Sequence, residues 1–271
     1  MDYKPAGITT KKNMELLQVW MVLPFLLLSC HEQNDRPGNK TVINRAADVN
    51  PYKQIQAIPL PAGFERLKAD TASFTAYLRN VGLKEQTTVY LFNGQPKHNQ
   101  DAQYALLNIP VGNSDLQQCA DAVMRLRAEY QYEQKQFGQI VFRDNSNTAY
   151  TFEAPYTRAH FDKYLNRVFG MCGSASLSKQ LKPVNNFSDI QPGDVLIRGG
   201  FPGHAVIVMD VAVNAAGQKI YLLAQSYMPA QDIHVLKNPS NENLSPWYEV
   251  NDDMVIHTPE YTFVQRELMK W

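Results

Sequence analysis

Cys119, His204 and either Gln225 or Ser226 are the residue types that acyl-transfer chemistry needs. A thiol attacks a carbonyl well when a nearby base takes its proton, and the base works when a third group fixes its tautomer. Cys119 lies in DLQQCADAVMRLRAEY, where Leu116, Cys119, Ala120, Val123, Leu126 and Tyr130 recur at helical spacing. Asp115 with Gln118 three residues on has the form of a capping box, which predicts the start of that helix. The thiol then falls in the first turn. Unpaired N–H groups and the helix dipole favour negative charge there and lower a thiol's pKa. A packing role competes with this one, because free cysteine is among the most buried residue types and Cys119 lies on the apolar face.

The base sits in residues 193–210, GDVLIRGGFPGHAVIVMD. Residues 195–197 and 205–209 are short, partly β-branched apolar runs and predict buried strands. Residues 199–203 form a Gly/Pro turn between them, and His204 stands where the turn becomes the second strand. After a turn at residues 214–217 the chain returns as KIYLLAQSY, residues 219–227. Strand alternation decides which polar residue shares the face of His204. A turn centred between Ala215 and Ala216 gives Gln225 and Tyr227; a glycine bulge that shifts the register by one gives Ser226 instead. Gln225 is the better chemical choice, because its amide oxygen can accept from one ring nitrogen and leave the other for the thiol.

The remaining elements must position these groups. Asp70-Thr71 predicts the cap of a helix with Phe74, Tyr77, Leu78 and Val81 on one face. Residues 87–92, the Asn93-Gly94 turn and residues 104–109 predict a hairpin. Residues 139–142 and 148–152 predict another, and a helix covers residues 158–169, closed by Met171-Cys172-Gly173. Cys172 reads as packing and His160 as a surface residue. His204, His234 and His257 lack the spacing of a metal site, so neither metal nor cofactor is expected. Arg125 and Arg127 could hold a substrate carboxylate, and Tyr227 could line the substrate groove.

The whole chain bounds these readings. Lys plus Arg and Asp plus Glu both number 26, so the net charge of zero gives no electrostatic footprint for nucleic acid. A hydrophobic fraction of 44% points to a packed body rather than a disordered chain. Lys11-Lys12 precede an apolar run over residues 20–28, too short to span a bilayer and ordered like a secretory signal. It ends in Leu27-Leu28-Ser29-Cys30, which resembles a bacterial lipobox and implies lipidation at Cys30. Residues 31–51 are polar and Asn-rich, a flexible tether to a membrane surface. Of the three cysteines, Cys119 and Cys172 are left as the pair that an exported protein could oxidise.

The order of a cysteine opening a helix, a Gly-Asp strand, a histidine opening the next strand and a polar residue on the following one resembles the NlpC-type cell-wall peptidases, a papain-like family. The likeness covers residues 115–227, and Gln118 and Ala120 depart from the Asp and Ser that usually flank that cysteine. QQCADAVMRLRAEY, GDVLIRGGFPGHAVIVMD and LLAQSYMPAQDIHVL more closely resemble an exported bacterial family known as domain of unknown function 4846. The resemblance implies an exported, lipid-anchored protein and assigns no activity. The expectation is a signal (1–30), a tether (31–51) and one α+β domain (52–271). In that domain an antiparallel sheet packs on the Cys-bearing helix as a papain-like core with N-terminal additions. The expected function is cysteine-dependent hydrolysis of an extracytoplasmic peptide or glycopeptide. The rivals are a lipoprotein that binds glycan or peptide without catalysis, and an acyl transferase using the same dyad.

Overall fold

The computed structural model describes residues 49–271. The signal, Cys30 and residues 31–48 of the tether lie outside the described residues. The last tether residues belong to the fold. Asn50 is buried, donating from its backbone to Glu85 O (2.8 Å) and from Nδ2 to Lys84 O (2.8 Å).

Strand β1 (Phe64–Arg66) leads to helix α1 (Phe74–Asn80). Its cap is Ser73, whose hydroxyl accepts from Ala76 N–H at 3.2 Å, rather than the Asp70-Thr71 pair. Strand β2 (Gln103–Leu106) precedes α2 (Cys119–Glu133), then β3 (Val141–Arg143) and β4 (Ala149–Thr151) form the expected hairpin. Helices α3 (Arg158–Met171) and α4 (Ser174–Gln180) follow; α3 closes at Met171 with Cys172 as its C-cap, as expected, and Gly173 also serves as the N-cap of α4. The rest is strand: β5 (Lys182–Pro183), β6 (Val195–Arg198), β7 (His204–Asn214), β8 (Lys219–Gln225), β9 (His234–Leu236) and β10 (Tyr248–Glu249). A small hairpin, β11 (Val255–His257) and β12 (Thr262–Val264), comes before the last strand, β13 (Leu268–Lys270).

The main sheet runs β2-β9-β8-β7-β6-β13-β5, all antiparallel, with β1 added on β7 and β10 on β8. This is an α+β fold. Residues 87–92 do not pair with β2 as the Asn93-Gly94 signal suggested. That turn closes tightly on itself, Leu91 N–H donating to Gln95 O at 2.8 Å, and β2 finds β9 instead.

Both faces of the sheet are buried, which is why β7 is apolar at nearly every position. Ala205, Ile207 and Met209 join one core with Leu78, Val123, Leu126, Phe161 and Leu177 from the four helices. Val206 and Val208 join a second core with Phe187, Tyr221, Ile256, Phe263 and Leu268. Beyond Met209 the phase reverses: Val211 lies in the second core and Ala212 in the first. A β-bulge between Val208 and Asp210 makes this change. No helix among the described residues is long and apolar enough to cross a membrane.

Candidate active site

The helix carrying the thiol begins later than Asp115 and Gln118 suggested. Gln118 is the N-cap, and its backbone N–H donates to Asp121 Oδ2 at 3.0 Å. Asp115 is occupied elsewhere, accepting on Oδ1 from Gln118 Nε2 (3.0 Å) and Ala230 N–H (2.7 Å). Cys119 is therefore the first helical residue, half-buried and free of any disulfide. Its sulfur meets the backbone N–H groups of Ala205, Ala120 and Cys119 itself, which all favour a thiolate. Burial outweighs them, with Asp121 adding to it, and pushes the thiol up to about 11. The low pKa expected from the helix position is corrected: the first turn does attract negative charge, but desolvation of the sulfur is the larger effect.

Ala205 follows His204 directly, so the thiol rests against the strand that begins with the histidine. The turn before it is built for close approach. A Cβ on Gly203 would strike Gly200 O and Ser174 Oγ and stand 2.8 Å from Arg198 O. Gly203→Ala is therefore expected to cost about 1–3 kcal/mol by overpacking. A lower urea midpoint at unchanged slope would report it.

Register settles the third residue. The β7–β8 turn is centred on Ala216, since Val213 pairs with Lys219, and that phase alone would give Ser226 to His204. The bulge shifts pairing by one, to Val208 with Leu223 and Ile207 with Ala224, and turns Gln225 to the histidine's face. His204 Nε2 and Gln225 Oε1 lie 2.8 Å apart, both buried. Ser226 points away: its hydroxyl bonds Gln117 O (2.8 Å) and Gln231 O (3.0 Å), tying β8 to the segment before Cys119. It is a structural tie and not an orienter.

Three aromatic rings pack around His204: Tyr227 at 4.8 Å, Tyr261 at 4.9 Å and Phe263 at 5.8 Å between centroids. Burial among them pulls the imidazole down to about 4; Gln225 and the Glu260 charge oppose this, and Lys97 adds to it. Gln225 Nε2 donates to Glu260 Oε2 at 2.8 Å and lies 3.4 Å from His234 Nε2. Glu260 is held by Lys97 Nζ (2.6 Å) and Asn99 Nδ2 (3.2 Å). Glu260 and Lys97 carry no signal in the sequence, and His234 is weighed there only as a metal ligand, because distant loops and strands bring these residues together only in the fold.

Other sequence expectations go elsewhere. Arg125 is buried, its Nη1 donating to Gln117 Oε1 and to Pro110 O at 2.7 Å and its Nε to Glu129 at 3.4 Å, and it borders a cleft apart from Cys119 and His204. Arg127 lies over the rings of Phe74, Tyr130 and Trp271. Cys172 is buried and free, and His160 is tied through Nδ1 to Pro155 O at 2.8 Å. His257 lies 3.3 Å from Thr262 Oγ1, apart from the other two histidines' shared amide. Among the described residues no three His, Cys, Asp or Glu side chains gather around a metal-sized space. A cleft of about 660 Å³ runs along α2, bordered by Tyr77, Gln117, Glu129, Glu133 and Arg158; neither Cys119 nor His204 lines it.

Searches of curated proteins and of solved structures each returned no match. One family model does match, described as domain of unknown function (4846), over residues 55–154 and 141–270. Those two stretches take in Lys97 and α2 on one side and β7, β8 and the β11–β12 hairpin on the other, every element that meets at His204. The chain is thus a member of the family described as domain of unknown function (4846).

Proposed function

We propose that this protein is a thiol hydrolase that cleaves amide bonds in extracytoplasmic peptides, with cell-wall peptides or glycopeptides as the leading substrates. One observation carries the reading. His204 Nε2 is engaged by Gln225, which leaves Nδ1 for a proton, and the Cys119 sulfur rests on the backbone N–H of the very next residue. The likeness to papain-like NlpC-type peptidases in the order of cysteine, histidine and polar residue supports the same reading.

In this mechanism the Cys119 sulfur attacks the substrate carbonyl as its proton passes to His204 Nδ1. With no intrahelical carbonyl to bond in the first turn, the Cys119 backbone N–H turns from its own sulfur to help hold the oxyanion. The imidazolium then gives its proton to the leaving amine, and the C–N bond breaks. Water hydrolyses the thioester, again through His204, and frees the thiol. Tyr227, half-buried beside the imidazole, borders the place where substrate would lie. Export and a lipid on Cys30 belong to this proposal and rest on residues 11–30 alone.

A second reading, peptide or glycan binding without catalysis, is favoured by the high pKa that burial gives the thiol. One experiment separates them. The purified protein is incubated with cell-wall tetrapeptides and the products are weighed by mass spectrometry. Cleavage by the wild type and a loss of about 10³-fold or more in Cys119→Ala and His204→Ala are expected. Wild-type protein that binds the peptide without cutting it, with equal binding by Cys119→Ala, would overturn the hydrolase reading in favour of the second.

A further inference from the structure

Two acceptors crowd the amide nitrogen of Gln225. His234 Nδ1 lies 2.8 Å from Asp232 O, and a carbonyl oxygen can only accept, so Nδ1 carries the hydrogen. Complete burial keeps that imidazole neutral, pulled down to about 3. Its Nε2 is therefore a bare acceptor facing Gln225 Nε2. Asp232 is itself fixed by Lys84 Nζ (2.6 Å) and Tyr90 N–H (2.8 Å), so the carbonyl that sets this tautomer does not wander.

Glu260 is the second acceptor and the nearer one, at 2.8 Å. Lys97 and Asn99 hold its carboxylate, and the Lys97–Glu260 pair is itself largely buried, at 8% and 13% side-chain exposure. A buried ion pair is costly to desolvate, and losing one partner leaves the other charge buried and unpaired. Thr258 and Tyr261 close the turn that presents Glu260, with Thr258 N–H donating to Tyr261 O at 2.9 Å. If the Gln225 amide were reversed, its oxygen would face a carboxylate and a nitrogen lone pair at once. The nitrogen must lie on that side, and the oxygen must face His204.

We infer that Glu260, clamped by Lys97, is a positioning residue: it locks the Gln225 amide so that His204 holds its hydrogen on Nε2 and presents a bare Nδ1. The inference deepens the hydrolase reading and rests on it for its purpose, though not for its geometry. Glu260 touches no reacting atom. It acts through Gln225 on the tautomer of the base.

The test reads the ring directly, by nitrogen-15 NMR of His204 in the full chain. The wild type is expected to show one neutral tautomer, protonated on Nε2; a ring protonated on Nδ1 would overturn the inference with no variant needed. Glu260→Leu is expected to give a mixture of tautomers and to slow Cys119 alkylation at pH 7 by about tenfold or more. Glu260→Gln keeps an acceptor oxygen for Gln225 and is expected to restore the single tautomer. A pure Nε2–H ring and wild-type alkylation in Glu260→Leu would sink the proposal. Failure of the hydrolase reading looks different: Glu260→Leu still shifts the tautomer, but His204→Ala leaves Cys119 alkylation unchanged.

Discussion

Alkylation of Cys119 by iodoacetamide is expected to proceed at a constant rate from about pH 5 to pH 10 and to fall as the pH drops through about 4. The sign follows from the two groups. The thiol is pushed up to about 11 by burial and the imidazole down to about 4, so between those values both are uncharged. A base-assisted rate follows the population of neutral thiol beside neutral imidazole, and that population is constant across the window. Below it His204 gains a proton and can no longer accept one. Burial sets these limits, with Tyr227 and Tyr261 packed against the ring; Asp121 beside the sulfur and Lys97 behind Gln225 add to the shifts, and Gln225 and Glu260 oppose that of His204.

His204→Ala removes the plateau. Its alkylation should track free thiolate, about one part in 10⁴ at pH 7 for a thiol near 11, and climb about tenfold per pH unit. Near neutrality the variant is expected to be about 10²–10⁴-fold slower than the wild type. A wild-type profile that climbs in parallel with the variant would show that His204 does not serve Cys119.

The second large effect is on stability. Asp210 is fully buried and accepts from Arg66 Nε on Oδ2 and from Arg79 Nε on Oδ1, each at 2.7 Å, and from Val211 N–H at 2.9 Å. The arginines also donate to Ile58 O (2.7 Å) and Leu67 O (2.8 Å), so one carboxylate ties β1, α1 and the segment before β1 to β7. Asp210→Ala strands two guanidinium groups with little access to water. Breaking such a group by removing one partner costs about 3–5 kcal/mol. At roughly 2–4 °C per kcal/mol for a domain of this size, the melting temperature should fall by about 10 °C. Replacing Arg66, Arg79 and Asp210 together by Met, Met and Leu should recover most of the loss, because no charge is then left unpaired. A fall under about 1 kcal/mol in Asp210→Ala would show that water reaches the arginines.

Local signals made Cys119 and His204 legible. A helix that begins beside a loop, and a strand that begins after a Gly-Pro turn, announce themselves through their neighbours in sequence. The α2 start was read three residues early because Asp115 has the look of a cap, yet its carboxylate is spent on Ala230, 115 residues away. The choice between Gln225 and Ser226 was not legible. Both faces of β7 are buried, so its apolar run hides its phase, and the bulge that sets it contains no glycine to mark it. The burial of Arg125 was not legible either: charge on a helix usually means solvent, and here Pro110 O and Gln117 Oε1, from the loop before α2, make burial tolerable. Glu260 reaches Gln225 across 35 residues and Lys97 across 163, separations that no periodicity encodes.

The two buried faces of the sheet have a consequence for how this protein can fail. Cys119 packs with the helical core, whereas the His204 ring stacks on Phe263 of the core beneath the C-terminal hairpin. Cys119 and His204 thus answer to different halves of the interior, with the backbone at Ala205 and the Tyr227 side chain lying beside both. Thiol reactivity works like a circuit with two switches in series. Loosening either layer opens it, even where the other layer stays intact and most of the secondary structure survives.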